Sequence, residues 1–212
     1  GIGPYAGALA QLSGPERDMA LIGRVLRETM DFDDLVPLLH ERATLEGMWR
    51  EMALLHERTA PEDIVVVAFS GHATSNGEKV YLLPQDAMSD VPNGGRPTAE
   101  SGRVSEPQTG PTGLAPDALD SPELRGISAE ELHAWMNGLR ARRKVLILDT
   151  HPKADFIALA GSAEATYSVL LAASPGQGAF EVHIEEEGES FVAGVLTYAL
   201  TRRLAAAGPQ AT

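Results

Sequence analysis

Residues 63–72 read Asp-Ile-Val-Val-Val-Ala-Phe-Ser-Gly-His, and residues 144–151 read Lys-Val-Leu-Ile-Leu-Asp-Thr-His. Each stretch is an uninterrupted apolar run that ends in polar residues. Such runs are typical of parallel strands whose two faces are both covered by helices. We therefore expect two central strands of a parallel sheet, with the polar residues that follow them at one edge of that sheet.

Apolar runs and amphipathic segments alternate along the rest of the chain, which is the pattern of an α/β fold. A third strand is expected at residues 168–173, and a weaker one at residues 35–39, where Pro37 cannot donate to a ladder. Residues 1–3 look like the end of another strand. Helices are predicted over residues 15–30, 44–58, 128–142 and 190–207.

Local signals sharpen several of these predictions. The third helix begins with Ser128-Ala-Glu-Glu131, the pattern of a capping box. Trp49 and Trp135 fall within predicted helices and should anchor them against the sheet. The three glutamates at residues 185–187 are expected at the exposed turn of a hairpin. Residues 86–126 are rich in Gly, Pro, Ser and acidic residues, so we predict a long surface loop there, inserted into the domain and partly mobile.

The charge of the chain limits its partners. The sequence has 17 Lys and Arg against 30 Asp and Glu, a formal net charge of −13. This charge repels phosphate backbones and anionic lipids, so we expect neither a nucleic acid nor a membrane as partner. It favours basic protein or peptide partners. No apolar run approaches the roughly 20 residues of a membrane span, and a cytoplasmic location is the default expectation.

The absence of cysteine limits the chemistry. With 0 Cys among the 212 residues, disulfides, thiolate metal sites and an internal thiol nucleophile are all excluded. Two histidines remain as candidates, because His72 and His151 each follow an apolar strand. Together with Asp149 they would form a two-His, one-carboxylate metal set, but no short His spacing supports that reading. We therefore predict neither a metal nor a cofactor.

Two segments carry a family resemblance. Residues 63–72, followed by Lys79-Val-Tyr-Leu-Leu-Pro-Gln-Asp86, resemble the His-bearing part of the caspase-like cysteine peptidases, a family that includes metacaspases and bacterial relatives. Residues 127–132 and 144–149 are similar to the helix and strand that lead to the family's nucleophile. Residues 170–177, Glu181 and residues 194–200 resemble its closing strand and last helix, and Asp18, Leu21 and Leu26 match its first helix.

The resemblance runs through nearly the whole chain in the family's order. It implies one caspase-like domain over residues 1–212, with the insertion loop at residues 86–126. The implied fold is a three-layer α/β/α sandwich around a mostly parallel sheet of about six strands. In bacteria, relatives of this kind often belong to stress or defence systems.

The resemblance also assigns site residues. His72 matches the histidine of the family's Cys-His dyad, and Ala73 replaces the Gly that usually follows it. The nucleophile segment of metacaspase-type members reads Asp-x-Cys-x-Ser-Gly; aligned without a gap, Asp149 takes the Asp, and His151 stands where the Cys belongs. Losing the nucleophile of such a dyad typically costs on the order of 10⁶ in turnover.

These matches predict a degenerate peptidase that binds protein or peptide in a regulatory or scaffolding role. The candidate catalytic positions are His72 and His151, the latter inactive. Asp149, Ser70 and Ala73 are the candidate substrate-binding residues, because the matching Asp in metacaspase-type relatives receives a Lys or Arg side chain. An Asp149 that instead caps its loop through backbone amides is an equally open reading.

Two enzymatic alternatives stay open as well. One is a cysteine-type endopeptidase with specificity for basic residues, whose thiol comes from a partner or was removed by engineering. The other is a hydrolase that uses His72 with the hydroxyl of Thr150.

Overall fold

The computed structural model describes residues 1–5, 9, 11–75, 79–87, 125–151, 156, 158, 162–174, 177–186 and 188–208. The helices in this part are α1 (Pro15–Glu28), α2 (Leu45–Arg58), α3 (Ala129–Gly138) and α4 (Val195–Ala207). The strands are β1 (Ile64–Ser70), β2 (Ala73–Ser75), β3 (Val80–Leu82), β4 (Ile127–Ser128), β5 (Arg143–Asp149), β6 (Ser168–Leu171), β7 (Glu181–Glu186) and β8 (Glu189–Gly194).

The two long apolar runs, β1 and β5, pair in parallel, and β6 joins the other side of β5. The predicted α/β class and the parallel pairing are confirmed. The prediction of about six strands is not met in the described residues, where the parallel sheet has 3 strands in the order β1-β5-β6. Two small antiparallel units, β2-β3-β4 and the β7-β8 hairpin, account for the other strands of this part.

Two predicted strands do not form. Residues 35–39 form no strand and pair with no described strand, consistent with the donor that Pro37 lacks. Residues 1–3 are not a strand either, although Ile2 lies beside the end of β1 and donates its N–H to the Ser70 carbonyl at 2.9 Å.

Two predicted helices are shorter than expected. The last one begins at Val195 rather than at residue 190, because residues 190–194 pair with β7 and place Phe191 opposite Ile184. The third ends at Gly138 rather than at residue 142. There the buried Lys144 ammonium donates to the carbonyls of Met136, Asn137 and Leu139, which closes the helix with a cation at its C-terminus.

Other local predictions are confirmed. Both halves of the capping box at Ser128 and Glu131 are present. Trp49 and Trp135 pack against the core from α2 and α3, and Trp135 donates its indole N–H to the Met52 carbonyl at 3.0 Å. The predicted hairpin is present, with Gly188 at φ +85° between β7 and β8, but Glu185 and Glu186 belong to β7 and pair with Ser190 and Glu189.

The predicted insertion falls mostly on residues 88–124, which lie outside the described residues. Its two ends meet: Arg125 donates its N–H to the Ala87 carbonyl at 3.1 Å and its guanidinium lies 3.7 Å from the Asp86 carboxylate. Asp86 also accepts the N–H of Leu45 at 2.8 Å, which ties this junction to the start of α2.

The hydrophobic core combines residues of the parallel sheet with residues of the helices. Leu146 and Leu148 of β5 are fully buried, as are Met136 of α3 and Phe156. Among the described helices, none combines the length and the apolar character that crossing a lipid bilayer requires.

Candidate functional site

The parallel register brings two turns together at one edge of the sheet. Ser70, the last residue of β1, pairs with Asp149, the last residue of β5. Gly71 extends this pairing by donating its N–H to the Asp149 carbonyl at 3.4 Å. The first turn (residues 70–72) and the second turn (residues 149–151) therefore leave the sheet side by side, and each ends in a histidine.

Tyr5 fixes the first turn. Its hydroxyl oxygen accepts the backbone N–H of His72 at 2.6 Å, and its ring lies against the imidazole with 4.8 Å between centroids. Gly71 has φ +157°, and a Cβ there would lie 2.5 Å from the Tyr5 hydroxyl and 3.0 Å from Cζ of Phe69. Only glycine fits this position without displacing Tyr5 or Phe69.

The hydroxyl of Ser70 is hydrogen-bonded to a buried carboxylate. It donates to Oδ2 of Asp18 at 2.6 Å, and both residues are almost completely buried. The other oxygen of Asp18 accepts the N–H of Gly194 at 2.8 Å, so this one side chain joins α1, β1 and the residue that precedes α4.

Asp149 also binds the start of α4. Its Oδ2 accepts the backbone N–H of Thr197 at 2.9 Å and the Thr197 hydroxyl at 2.7 Å. Asp149 is buried, and a side chain at Gly194 would overlap its carboxylate. The carboxylate thus caps the first turn of a helix that belongs to another part of the chain, where the helix dipole favours a negative charge.

The two buried carboxylates have unusual proton affinities. Burial raises the pKa of Asp18 to about 6, against the opposing effect of the hydrogen bonds from Ser70 and Gly194. Burial likewise raises the pKa of Asp149, against the hydrogen bonds from Thr197. The nearby carboxylate of Glu181, which accepts the N–H of Gly14 at 2.7 Å, raises both values further. The carboxyl groups of Asp18, Asp149 and Glu181 therefore interact electrostatically at this edge of the sheet.

The second turn differs from the first. Thr150 is buried, and its hydroxyl has no hydrogen-bond partner in the described part of the chain. His151 is exposed. A Cβ built on Gly178 would lie 3.2 Å from Nε2 of His151 and 3.5 Å from Cζ of Phe180, so both side chains lie against this glycine. Phe180 itself is 68% exposed.

Comparison of the sequence with models of known protein families identifies the family of this chain. The model of the caspase domain family matches residues 1–209, which is almost the whole chain. The chain belongs to the caspase domain family. Among curated proteins, none has a significant sequence match to this chain.

In this caspase-family chain, no cysteine is available for the family's nucleophilic step. Of the predicted site residues, the register brings Ser70, His72, Asp149 and His151 to one edge. Ala73 lies there too, as the first residue of β2, paired with Leu82. Among the described residues, no group of His, Asp and Glu side chains could hold a metal ion.

Three contributors to this caspase-family site were not predicted from the sequence, namely Tyr5, the carboxylate of Asp18 and Thr197. For Asp18 a signal existed: it lies on the stripe of α1 that carries Ile22, Val25 and Leu26, and a charge on an apolar stripe indicates a buried partner. No local pattern marks Tyr5 or Thr197, because their contacts span 67 and 48 residues of sequence.

Proposed function

We propose that this caspase-family domain binds polypeptide without cleaving it, as a pseudo-peptidase that acts through protein binding. The observation that carries the proposal is the second turn, where an exposed imidazole follows β5. The ungapped alignment of residues 149–151 with the family's Asp-x-Cys pattern gives this position to the thiol. An imidazole there cannot replace a thiolate in covalent catalysis.

The hydroxyls of the two turns support this reading. Ser70 is buried and already donates to Asp18, and the Thr150 hydroxyl is buried away from solvent. A nucleophile must reach its substrate, so neither hydroxyl is placed to take the role of the missing thiol. The hydrolase that combines His72 with Thr150 therefore has no geometric support.

An apolar surface beside His151 supports the binding role. Phe180, Val182 and Val195 are all exposed, and the N–H of Val195 donates to the Phe180 carbonyl at 3.0 Å, which holds them together. Exposed aromatic side chains next to a site are typical of interfaces. The net charge of −13 favours a basic peptide on this surface.

The cleavage test compares four purified proteins on fluorogenic peptides with Arg or Lys before the scissile bond. They are the unmodified chain, His72→Ala, His151→Cys and the double variant. We expect no turnover from the unmodified chain, and a gain in His151→Cys that disappears in the double variant. Turnover by the unmodified chain that is lost in His72→Ala would refute the pseudo-peptidase proposal.

The binding test uses the same peptides with a fluorescent label, measured by anisotropy. We expect saturable binding to the unmodified chain that weakens as salt is added. Phe180→Ala removes an exposed side chain and should leave folding unchanged while it weakens binding about tenfold. Leu170→Ala is the matched control, because Leu170 is also exposed, at 36%, and belongs to β6. Equal effects of the two substitutions would contradict a binding surface at Phe180.

A further inference from the structure

A cleft lies at the amino ends of β5 and β6, at the opposite end of β5 from the two turns. Its volume is about 440 Å³, and it is lined by residues 142–145 and residues 165–168. Because β5 and β6 are parallel and Val145 pairs with Ser168, the two segments enter neighbouring strands side by side. The cleft is therefore separate from the peptide-binding site proposed above.

The charge of the cleft is opposite to that of the chain. Arg142, Arg143 and Lys144 belong to its lining, which contains no acidic residue, whereas the whole chain has a net charge of −13. None of these three cations forms a salt bridge within the described residues. Seven other Lys and Arg side chains of the same part of the chain do form one. The cleft is thus a local concentration of positive charge without a carboxylate partner.

The two arginines have donors left for a ligand. Arg143 donates one N–H to the Glu62 carbonyl at 3.0 Å, and this contact with a backbone oxygen restrains its guanidinium. The backbone N–H of Arg142 donates to the Pro61 carbonyl at 3.2 Å, while its side chain makes no hydrogen bond within the described residues. Both residues are exposed. Since each guanidinium has five N–H donors, most donors of this pair remain for an anion.

The third cation of the lining is buried. Lys144 is only 5% exposed, and its ammonium donates to carbonyls at the end of α3 and to the Thr166 hydroxyl at 2.8 Å. All of its acceptors are neutral groups, and burial lowers the pKa of Lys144. Thr166 is itself a lining residue, so the buried charge lies directly behind the wall of the cleft. A negative charge in the cleft would stabilise the charged form of this lysine.

A hydroxyl adds to the donors of the cleft. Ser168 is exposed, and its side chain makes no hydrogen bond within the described part of the chain. Guanidinium groups and hydroxyls are the side-chain donors that proteins commonly place on phosphate oxygens. The lining therefore combines positive charge with the donors that a phosphoryl group requires.

We propose that this cleft binds a compact phosphoryl anion, such as a small phosphate or diphosphate. A phosphoryl group has about two negative charges at neutral pH and accepts hydrogen bonds on three oxygens, which matches two guanidinium groups in front of a buried ammonium. A monocarboxylate supplies one charge and balances less of this site. A nucleic acid is disfavoured because its backbone extends beyond the cleft, where the net charge of −13 repels it.

The probes are pyrophosphate, inorganic phosphate and acetate, each titrated into the full chain by calorimetry at constant ionic strength. We expect one saturable site for pyrophosphate, about tenfold weaker binding of phosphate, and no binding of acetate. Amide hydrogen exchange at residues 142–145 and 165–168 should slow when pyrophosphate is bound. A phosphoserine peptide and its unphosphorylated form are titrated in parallel. If the phosphoserine peptide binds more tightly than pyrophosphate, the phosphoryl group is supplied by a polypeptide; if it binds more weakly, the source is a free anion.

Arg142 provides matched variants of the protein. Arg142→Gln removes an exposed guanidinium and should weaken pyrophosphate binding at least tenfold without lowering the Tm of the free protein. Arg142→Lys keeps the charge but lacks the planar fork of donors, so it should lose about threefold. Arg42→Gln is the control, because Arg42 is also exposed, forms no salt bridge within the described residues and precedes α2. Phe180→Ala should leave pyrophosphate binding unchanged, which separates the cleft from the peptide surface near His151.

Several results would overturn the proposal of a phosphoryl site. The absence of both binding heat and a rise in Tm at about 10 mM pyrophosphate would exclude it directly. Equal weakening by Arg142→Gln and Arg42→Gln would indicate a general effect of charge and no site in the cleft. Acetate that binds as tightly as pyrophosphate would show that the cleft does not select a phosphoryl group. Hydrogen exchange that slows outside the two lining segments alone would place the anion elsewhere.

Discussion

The two turns at the edge of the sheet both end in a histidine but are held in different ways. The first turn, at residues 70–72, is fixed by side chains from distant segments, namely Tyr5 on the His72 amide and Asp18 on the Ser70 hydroxyl. The second turn, at residues 149–151, is fixed through Asp149 alone among the contacts described above, and it has an unpartnered hydroxyl at Thr150 and an exposed His151. The contacts described for the first turn thus come from two side chains far away in the sequence, and those described for the second turn join it to the start of α4.

The largest effect should come from placing a methyl group in the first turn. Gly71→Ala brings a Cβ to 2.5 Å from the Tyr5 hydroxyl at a backbone angle that favours glycine. We expect the free energy of unfolding to fall by about 3–5 kcal/mol, measured by urea denaturation. The control is Gly23→Ala in α1, which meets no atom and should stabilise the protein by about 0.5–1 kcal/mol. A loss below about 1 kcal/mol for Gly71→Ala would mean that the first turn is not rigid.

The next effect tests how Asp149 holds the second turn. Asp149→Ala leaves the N–H and hydroxyl of Thr197 buried without an acceptor and should cost about 2–3 kcal/mol of unfolding free energy. Asp149→Asn keeps an acceptor and should cost about 1 kcal/mol or less. If Asp149→Ala were instead as stable as the unmodified chain but bound Arg and Lys peptides poorly, Asp149 would act in ligand binding and not in capping α4.

The pH dependence of stability tests whether the buried Asp18 is protonated in the folded protein. The pKa of Asp18 is about 6 in the folded protein, above its ordinary value of 3.8, so folding favours the protonated form. Its stabilising contribution is therefore full below about pH 4 and lost as the pH rises through about 6, a change of the order of 2 kcal/mol. Asp18→Asn should match the unmodified chain at pH 4 and exceed its stability at pH 7.5.

The informative quantity is the difference in unfolding free energy between the two proteins at each pH. Burial raises the pKa of Asp149 as well, and that contribution is common to both proteins. Parallel stability curves from pH 4 to pH 7.5 would contradict the proposed role of Asp18.

The smallest effect concerns Thr150. Thr150→Val replaces a buried, unpartnered hydroxyl with a methyl group of similar size, and we expect a gain of about 1 kcal/mol in unfolding free energy. The matched control is Thr197→Val, which removes a hydroxyl that donates to Asp149 and should be destabilising. A loss of stability in Thr150→Val would show that this hydroxyl has a partner after all.

Much of the sheet could be predicted from the sequence because its strands are local apolar runs. Residues 64–70 and 143–149 contain enough Val, Ile and Leu to specify buried strands, and parallel pairing follows from the segments between them. The boundary of α4 could not be predicted, because Phe191 and Val192 fit a helical stripe as well as they fit β8. Pairing with β7 decided between the two.

The sequence alone determined the family, the absence of a thiol and the two histidines that follow β1 and β5, because each of these depends on residue types and their order. Only the tertiary structure decided which groups the site residues contact. The sequence suggests that the side chains of Ser70 and Asp149 can contact a ligand. In the structure Ser70 is hydrogen-bonded to Asp18, 52 residues away in the sequence, and Asp149 to Thr197, 48 residues away. Hydrogen bonds of such long range depend on how helices pack against a sheet, and no local pattern encodes that packing.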